Sequence, residues 1–285
     1  LATMLALLLA LSLLLAPPRA MARAQGIPPG AFLALSYHEV PGDGVPESAP
    51  GAGRYGVEVS QLVAQFAWLR ENGFHPVSLE DIVQARGGGN PLPPKAVLLT
   101  FDDGHADVYT RVYPVLKLFG YPAVIALVGS WMDSPAGTQV DYDEQRLPRE
   151  AFLSWDQVRE MHALGMTIGS HTMTHPNLPS AGLDEATREL REARARLEQE
   201  IDAPVTMVSY PNGGAEVYFT EELKRVTAGL GYACATTSRN GLAGPGSDLY
   251  AMARVSVAGT LPELVFRLEA ERFAFKPGEG AGVAE

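Results

Sequence analysis

AVLLTFDDGH, residues 96–105, is the stretch on which the reading of this chain turns. Ala96 to Thr100 is a short apolar run of strand length, and Phe101, two adjacent carboxylates and a glycine follow it. A run this short and this apolar reads as a buried strand. Asp102 and Asp103, side by side just past its end, repel each other and resist desolvation. Either they sit in water at an ordinary turn, or a nearby group makes the pair useful.

Working outward from that strand, strand-like and helical stretches alternate. Upstream, AFLALSY (31–37) reads as a buried strand and the Gly- and Pro-rich residues 41–56 as a surface loop. Apolar residues at 59, 62, 63, 66 and 69 predict a helix from Val59 to Asn72. HPVSL predicts a brief strand, with a short helix from Leu79 and a connector at GGGNPLPP (87–94). Downstream, a helix is expected from Val108 to Phe119, then a strand in YPAVIALVG and a loop as far as Phe152. Ser154 and Gln157 have capping-box spacing and start a helix to Leu164, with a strand in MTIGS beyond it.

The stretch from Leu183 to Gln199 reads as a charged helix with a solvated face. Strand VTMVSY, a helix from Phe219 to Leu230, and strand candidates GYACATTS and around Val255 follow. A last helix is expected from Leu261 to Phe273, with Pro262 in its first turn, where a missing N–H costs little. This alternation calls for an α/β fold of parallel strands covered by crossover helices, a barrel or an open sheet, in one domain. In such folds the chemistry lies at the carboxyl ends of the strands.

Those ends carry compatible groups. The strand at 31–37 runs into His38 and Glu39, the strand at 96–100 into Asp102, Asp103, Gly104 and His105. MTIGS runs into His171-Thr172-Met173-Thr174-His175-Pro176, and VTMVSY into Pro211-Asn212-Gly213. Each alone is an ordinary turn or polar loop; their coincidence at one end of successive strands points to a site. Two imidazoles and one carboxylate are a facial set for one divalent cation, Zn²⁺ or another first-row ion. The spacing lets His171 and His175 converge if their loop makes a single helical turn, which Pro176 would stop.

A cation also resolves the charge problem. One aspartate can ligate it, while the other takes a proton from a water that the cation polarises. Hydrolysis of an acyl bond further needs an oxyanion donor and an acid for the leaving group. A backbone N–H in the Asn212 turn suits the first, and His38, from a separate strand end, the second. The chemistry reads as metal-assisted hydrolysis of an amide or ester.

Composition sets outer bounds. With 22 basic and 33 acidic side chains the net charge of −11 argues against nucleic acid or an anionic membrane surface as the main partner. The single cysteine, Cys234, cannot form an internal disulfide and reads as a small buried side chain in a strand. LATMLALLLALSLLLA, at the start, is short for a membrane span but suits the apolar region of a signal peptide, and Ala22-Arg23-Ala24 offers a cleavage pattern. Residues 1–24 are therefore expected to be a signal peptide or an N-terminal anchor, residues 31–273 the folded domain, and 274–285 a flexible tail. The body is placed in the periplasm or outside the cell, with peripheral or N-terminal membrane association as an option.

TFDDG (100–104), SHTMTHP (170–176) and SYPNGG (209–214) together resemble the motifs of the polysaccharide deacetylases with a NodB homology domain, carbohydrate esterase family 4. The resemblance implies a distorted (β/α)₇ barrel. It makes Asp102 the general base, and Asp103 the metal ligand beside His171 and His175. Asn212 stands at the family's tyrosine position, and the arginine that normally precedes that motif is missing from MVSYP; Arg254 is the candidate replacement. The family keeps its acid histidine near the C-terminus, yet no histidine follows His175.

SYHEV (36–40) resembles the first strand of the circularly permuted subgroup that deacetylates poly-β-1,6-N-acetylglucosamine. In that subgroup the acid lies at the front of the chain, and His38 fits; His105 is the rival. The implied substrate is an N-acetylated polysaccharide, with peptidoglycan, chitooligosaccharide or an O-acetylated polymer as alternatives. An inert carbohydrate-binding protein and a scaffold are the other classes. Trp131 and Trp155 are candidates for stacking on a sugar ring, and a monomer is expected.

Overall fold

The computed structural model describes residues 27, 29–45, 55–142, 145–213, 219–265 and 268. The expected leader at 1–24, the end of the last helix and the tail at 274–285 lie outside these residues. Among the described residues no helix is long and apolar enough to cross a membrane.

The apolar run before the paired carboxylates is strand β3 (Ala96–Phe101), buried along its whole length. It pairs in parallel, residue for residue, with β1 (Phe32–Tyr37), which is equally buried. Short β2 (His75–Pro76) flanks the start of β3, and β4 (Val124–Leu127) flanks its end. Beyond β4 come β7 (Thr167–Ser170), β8 (Met207–Ser209) and β9 (Cys234–Thr236), all parallel. On the other side the first half of β1 meets β10 (Leu242–Ala243) antiparallel, and its second half meets β11 (Val255–Ser256) in parallel.

The sheet curls so that its two ends approach each other. A single bridge between Thr236 and Met252 spans the gap, with Met252 N–H donating to Ala235 at 3.0 Å. This is an incomplete barrel of mainly parallel strands flanked by helices, the distorted (β/α) form that the motifs imply.

Helices cover the outside where sequence periodicity places them. α1 (Val59–Glu71) buries Leu62, Phe66 and Leu69 at its apolar spacing. α2 (Leu79–Arg86) starts in a capping box from Ser78, and α5 (Trp155–Ala163) in one from Ser154 and Gln157. The helix expected at 108–119 has two parts: a π turn at Val108–Val112, then α3 (Tyr113–Phe119). Pro114 has no N–H to donate four residues back, so the preceding turn widens and Tyr113 bonds to Val108 instead.

The expected loop before Phe152 is a correction. It contains α4 (Gly129–Asp133) and a hairpin of β5 (Gln139–Tyr142) and β6 (Gln145–Pro148). In β5 Val140 and Tyr142 point inward while Gln139 and Asp141 face water. A second correction concerns the charged helix. After the short α6 (Leu178–Ala181), α7 (Leu183–Ile201) is solvated on only one side; Ala186, Glu189, Leu190, Ala193, Leu197 and Ile201 form a buried stripe. α8 (Glu221–Gly229) then leads into β9, where Cys234 is buried.

Gly104 ends the turn after β3 at φ +74°, and a Cβ there would lie 2.7 Å from Leu127 Cδ2 and 3.2 Å from Met132 Cε. Left-handed strain and overpacking therefore act together, and Gly104→Ala is expected to cost about 2–3 kcal/mol. A urea midpoint within error of wild type would show that the turn relaxes freely.

Candidate active site

The turn after β3 separates the two carboxylates. Asp102 keeps its strand partner, its N–H donating to Tyr37 O at 2.9 Å, whereas Asp103 sits at φ +72°. Successive side chains of a strand leave in opposite directions, and this kink widens the divergence.

Asp102 faces Arg254. The guanidinium donates through Nη1 to Oδ1 at 2.9 Å and through Nη2 to Oδ2 at 2.7 Å, a bidentate pair with both residues at most 1% exposed. Nη1 also reaches Thr100 Oγ1, Nε donates to Thr237 O, and Ser209 Oγ donates to Asp102 Oδ2 at 3.1 Å. Burial by itself would raise the Asp102 carboxyl. Arg254, with smaller help from His171 and His38, outweighs it and holds the pKa at about 2.

Asp103 faces two imidazoles. Its Oδ1 lies 3.3 Å from His171 Nε2 and 3.7 Å from His175 Nε2, and the two nitrogens are 3.2 Å apart. These three are the group of potential ligands found among the described residues, with donor atoms within 4.8 Å of one another. His171 donates from Nδ1 to Ser209 O at 2.7 Å, which leaves the Nε2 lone pair aimed at Asp103. Burial, then the neighbouring His171, push His175 down to about 4, so its ring is neutral near pH 7. Asp103 is buried, which alone would raise it, but the imidazoles of His105 and His171 beside it take it well below the carboxylate range.

Asp103 Oδ1 has no hydrogen-bond partner although it is buried. An orphaned carboxylate oxygen facing two imidazole nitrogens is what one divalent cation would satisfy. The set is suited to metal-dependent amide hydrolysis.

The loop bearing the histidines makes no helical turn, contrary to expectation. Thr172 at φ +67° and His175 at φ +61° fold it back, and Thr172 Oγ1 accepts the His175 N–H at 3.0 Å. Hydrogen bonds from Gly129 N–H to Thr172 O and from Ser130 N–H to Met173 O pin it from the α4 side.

Sequence reasoning missed Tyr142 and gave Glu39, named only as a strand-end neighbour of His38, no role. Tyr142 Oη lies 2.6 Å from Glu39 Oε1 and 3.2 Å from Asp103 Oδ2, so the hairpin reaches the oxygen of Asp103 that faces away from the histidines. Glu39 is 1% exposed. The position of Glu39 beside His38 was visible in the sequence, but nothing marked Tyr142 inside a polar stretch.

The other candidates divide by exposure. His38 is half-buried at the rim, its ring 5.1 Å from Tyr55, and its buried Nδ1 lacks a partner. His105 is fully enclosed, stacked on Phe152 and 3.8 Å from Asp103 Oδ2. Asn212 is exposed at φ +57° in the turn after β8. Trp131 is buried against Tyr142, Phe152 and His175, so its faces support the metal-ligand candidates. Trp155 is engaged elsewhere, donating to Asp133 at 3.0 Å with Arg196 stacked on its ring.

The model of the polysaccharide deacetylase family matches residues 89–235, which include both carboxylates and both histidines. The chain belongs to the polysaccharide deacetylase family. It is 37% identical over 260 residues to the poly-beta-1,6-N-acetyl-D-glucosamine N-deacetylase of Escherichia coli K12, an alignment covering 81% of this chain and 37% of that protein. The chain thus spans little more than a third of the length of that relative. Among solved structures, a de-N-acetylase from Aggregatibacter actinomycetemcomitans superposes with TM-score 0.70 at 26% identity, covering 80% of this chain and 95% of that one. The BpsB deacetylase domain of Bordetella bronchiseptica superposes with TM-score 0.67 at 28% identity, covering 81% and 96%.

Within this deacetylase fold the Arg254–Asp102 pair has a definite pH signature. Asp102 is depressed from 3.8 to about 2, so its ionisation stabilises the fold by about 2 kcal/mol above pH 4, a gain lost as pH falls toward 2. Removing the cation reverses the sign, because burial alone raises the carboxyl. Arg254→Met is expected to cost about 3–5 kcal/mol near pH 7 and clearly less near pH 4, where Asp102 can take up a proton. Urea unfolding of both proteins at the two pH values checks this, and an equal cost at both would place the effect elsewhere.

Proposed function

We propose that this chain is a metal-dependent N-deacetylase of an exported polysaccharide, with poly-β-1,6-N-acetyl-D-glucosamine as the polymer. One observation carries the reading: the adjacent carboxylates are held apart, Asp102 on Arg254 and Asp103 on His171 and His175. A carbohydrate-binding protein has no use for a spare, permanently ionised carboxylate beside a metal set; a hydrolase does. The polymer is suggested by the name of the Escherichia coli relative. The apolar start of the sequence suits export to the periplasm or beyond.

Asp103, His171 and His175 would hold the cation, Zn²⁺ by the character of two imidazoles and a carboxylate. When bound there, it supplies Lewis acidity, which polarises an acyl carbonyl and acidifies a nearby water. Asp102 takes the proton from that water. Arg254 keeps Asp102 ionised and fixes both its oxygens, so the base is ready over the working pH range. Its low basicity is offset by an acidified water, since the proton then moves between groups of closer pKa.

His38 is the acid for the departing amine. Its rim position and unpartnered Nδ1 support that role, and the enclosure of His105 counts against the rival. A main-chain N–H of the Asn212 turn is the proposed donor to a developing oxyanion.

Two variants and a substrate panel test the reading. Asp102→Asn is expected to keep its metal and to lose acetate release by at least 100-fold, whereas His171→Ala loses both. Metal content and acetate release are measured on the same preparations. A panel of β-1,6 and β-1,4 glucosamine polymers, peptidoglycan and acetylxylan, each with and without chelator, should show chelator-sensitive release highest on the β-1,6 polymer. Chelator-resistant release, or an active Asp102→Asn, would overturn the mechanism; preference for another polymer would overturn only the substrate.

A further inference from the structure

Glu189 lies on α7, in a stretch of sequence dense with charge, yet it is 1% exposed. Its Oε2 accepts the main-chain N–H groups of Met173 at 2.9 Å and Thr174 at 2.7 Å. Oε1 accepts the Thr174 hydroxyl at 2.7 Å. Three donors thus converge on one buried carboxylate, and all come from Met173 and Thr174, two of the three residues between His171 and His175.

That loop needs restraint. Thr172 and His175, neither of them glycine, hold positive φ, which costs about 1–2 kcal/mol each and persists only where the surroundings over-determine it. α4 holds the carbonyls of Thr172 and Met173, while the N–H groups at the other ends of the same two peptide bonds go to Glu189. Hydrogen bonds to an ionised acceptor are about twice as strong as neutral ones, which suits the carboxylate as the firmer side of the clamp.

The geometry points to Glu189 as a positioning residue that clamps the Met173–Thr174 turn, keeping the two Nε2 atoms 3.2 Å apart and directed at Asp103. It would touch neither cation nor substrate. The inference rests on the reading of Asp103, His171 and His175 as a metal set. A residue that merely docks α7 on the barrel would change stability and leave metal affinity alone.

The test uses the full chain and two measurements besides activity: zinc affinity by competition with a chromogenic chelator, well below the unfolding temperature, and hydrogen exchange of the Met173 and Thr174 amides. Glu189→Ala is expected to weaken zinc binding 10- to 100-fold and to speed both amides. Glu189→Gln should stay within about 3-fold, since an amide oxygen can accept both N–H groups and its NH₂ can donate to Thr174 Oγ1. A folded Glu189→Ala with wild-type zinc affinity and unchanged exchange overturns the proposal.

Where Glu189→Ala fails to fold, Thr174→Val is read instead, because Thr174 is exposed and its hydroxyl supplies one of the three bonds. A loss of about 3- to 10-fold supports the clamp, matching one hydrogen bond, and no loss overturns it. If wild type binds no zinc, the metal reading fails, and the exchange rates still decide the clamp.

Discussion

Two like charges on adjacent residues at the end of a buried strand are the constraint around which this molecule is arranged. Neither Asp102 nor Asp103 is more than 3% exposed, and an isolated carboxylate at such a site would surrender its charge. Asp102 stays ionised because Arg254, 152 residues later in the chain, meets both its oxygens. That meeting dictates topology. Arg254 immediately precedes β11, which must lie beside β1, with Leu35 opposite Val255, while β1 lies beside β3, with Leu35 opposite Leu99. The sheet has to curl until its late strands reach its first one, and the ion pair sits where that closure is made.

The rest of the rim accommodates the same constraint through local strain. Positive φ at Asp103, Thr172, His175 and Asn212 falls in the three motif loops, and none of these residues is glycine. Each site turns a side chain that would otherwise follow the strand or loop direction. Such conformations need neighbours that hold them. Here the neighbours are the Thr172 hydroxyl on the His175 N–H, the start of α4 on the loop carbonyls, and Glu189 beneath the loop. Ser209 joins the halves of the site, since its carbonyl sets the His171 tautomer and its hydroxyl holds Asp102.

What could be read from sequence follows from the range of the interactions. β3 and α1 were legible because burial of a strand or a helix face leaves a periodic trace in consecutive residues. The capping box at Ser154 and Gln157 was legible because both partners lie within one turn. The hairpin at 139–148 was not, because two short strands of alternating polarity leave too few apolar residues to stand out. With it went Tyr142, whose contact with Asp103 spans 39 positions. The buried side of α7, with Glu189 in it, was hidden for another reason, the density of charge along the helix. The buried stripe Ala186, Leu190, Ala193, Leu197 passes directly beside Glu189, and a carboxylate inside such a stripe is the one local sign that it points inward. The kinks that bring His171 and His175 together leave no sign, since the spacing of residues does not reveal positive φ at a threonine or a histidine.

The proposed transfer of the acid histidine to the front of the chain is compatible with the same closure of the sheet. The family pattern expects an acid late in the chain, and this chain offers His38 near its beginning. In sequence the exchange is large; in space it is small. β1 and β11 are parallel neighbours, Ser36 opposite Ser256, so the positions just past their ends lie side by side on one rim. A histidine two residues beyond Ser36 stands next to where one two residues beyond Ser256 would stand. Parallel strands send their carboxyl ends the same way, so either strand can carry the acid while Arg254 and Asp102 stay in place. The order of motifs along the chain is free to change because the curl of the sheet, which the buried ion pair requires, makes the first strand and the last adjacent.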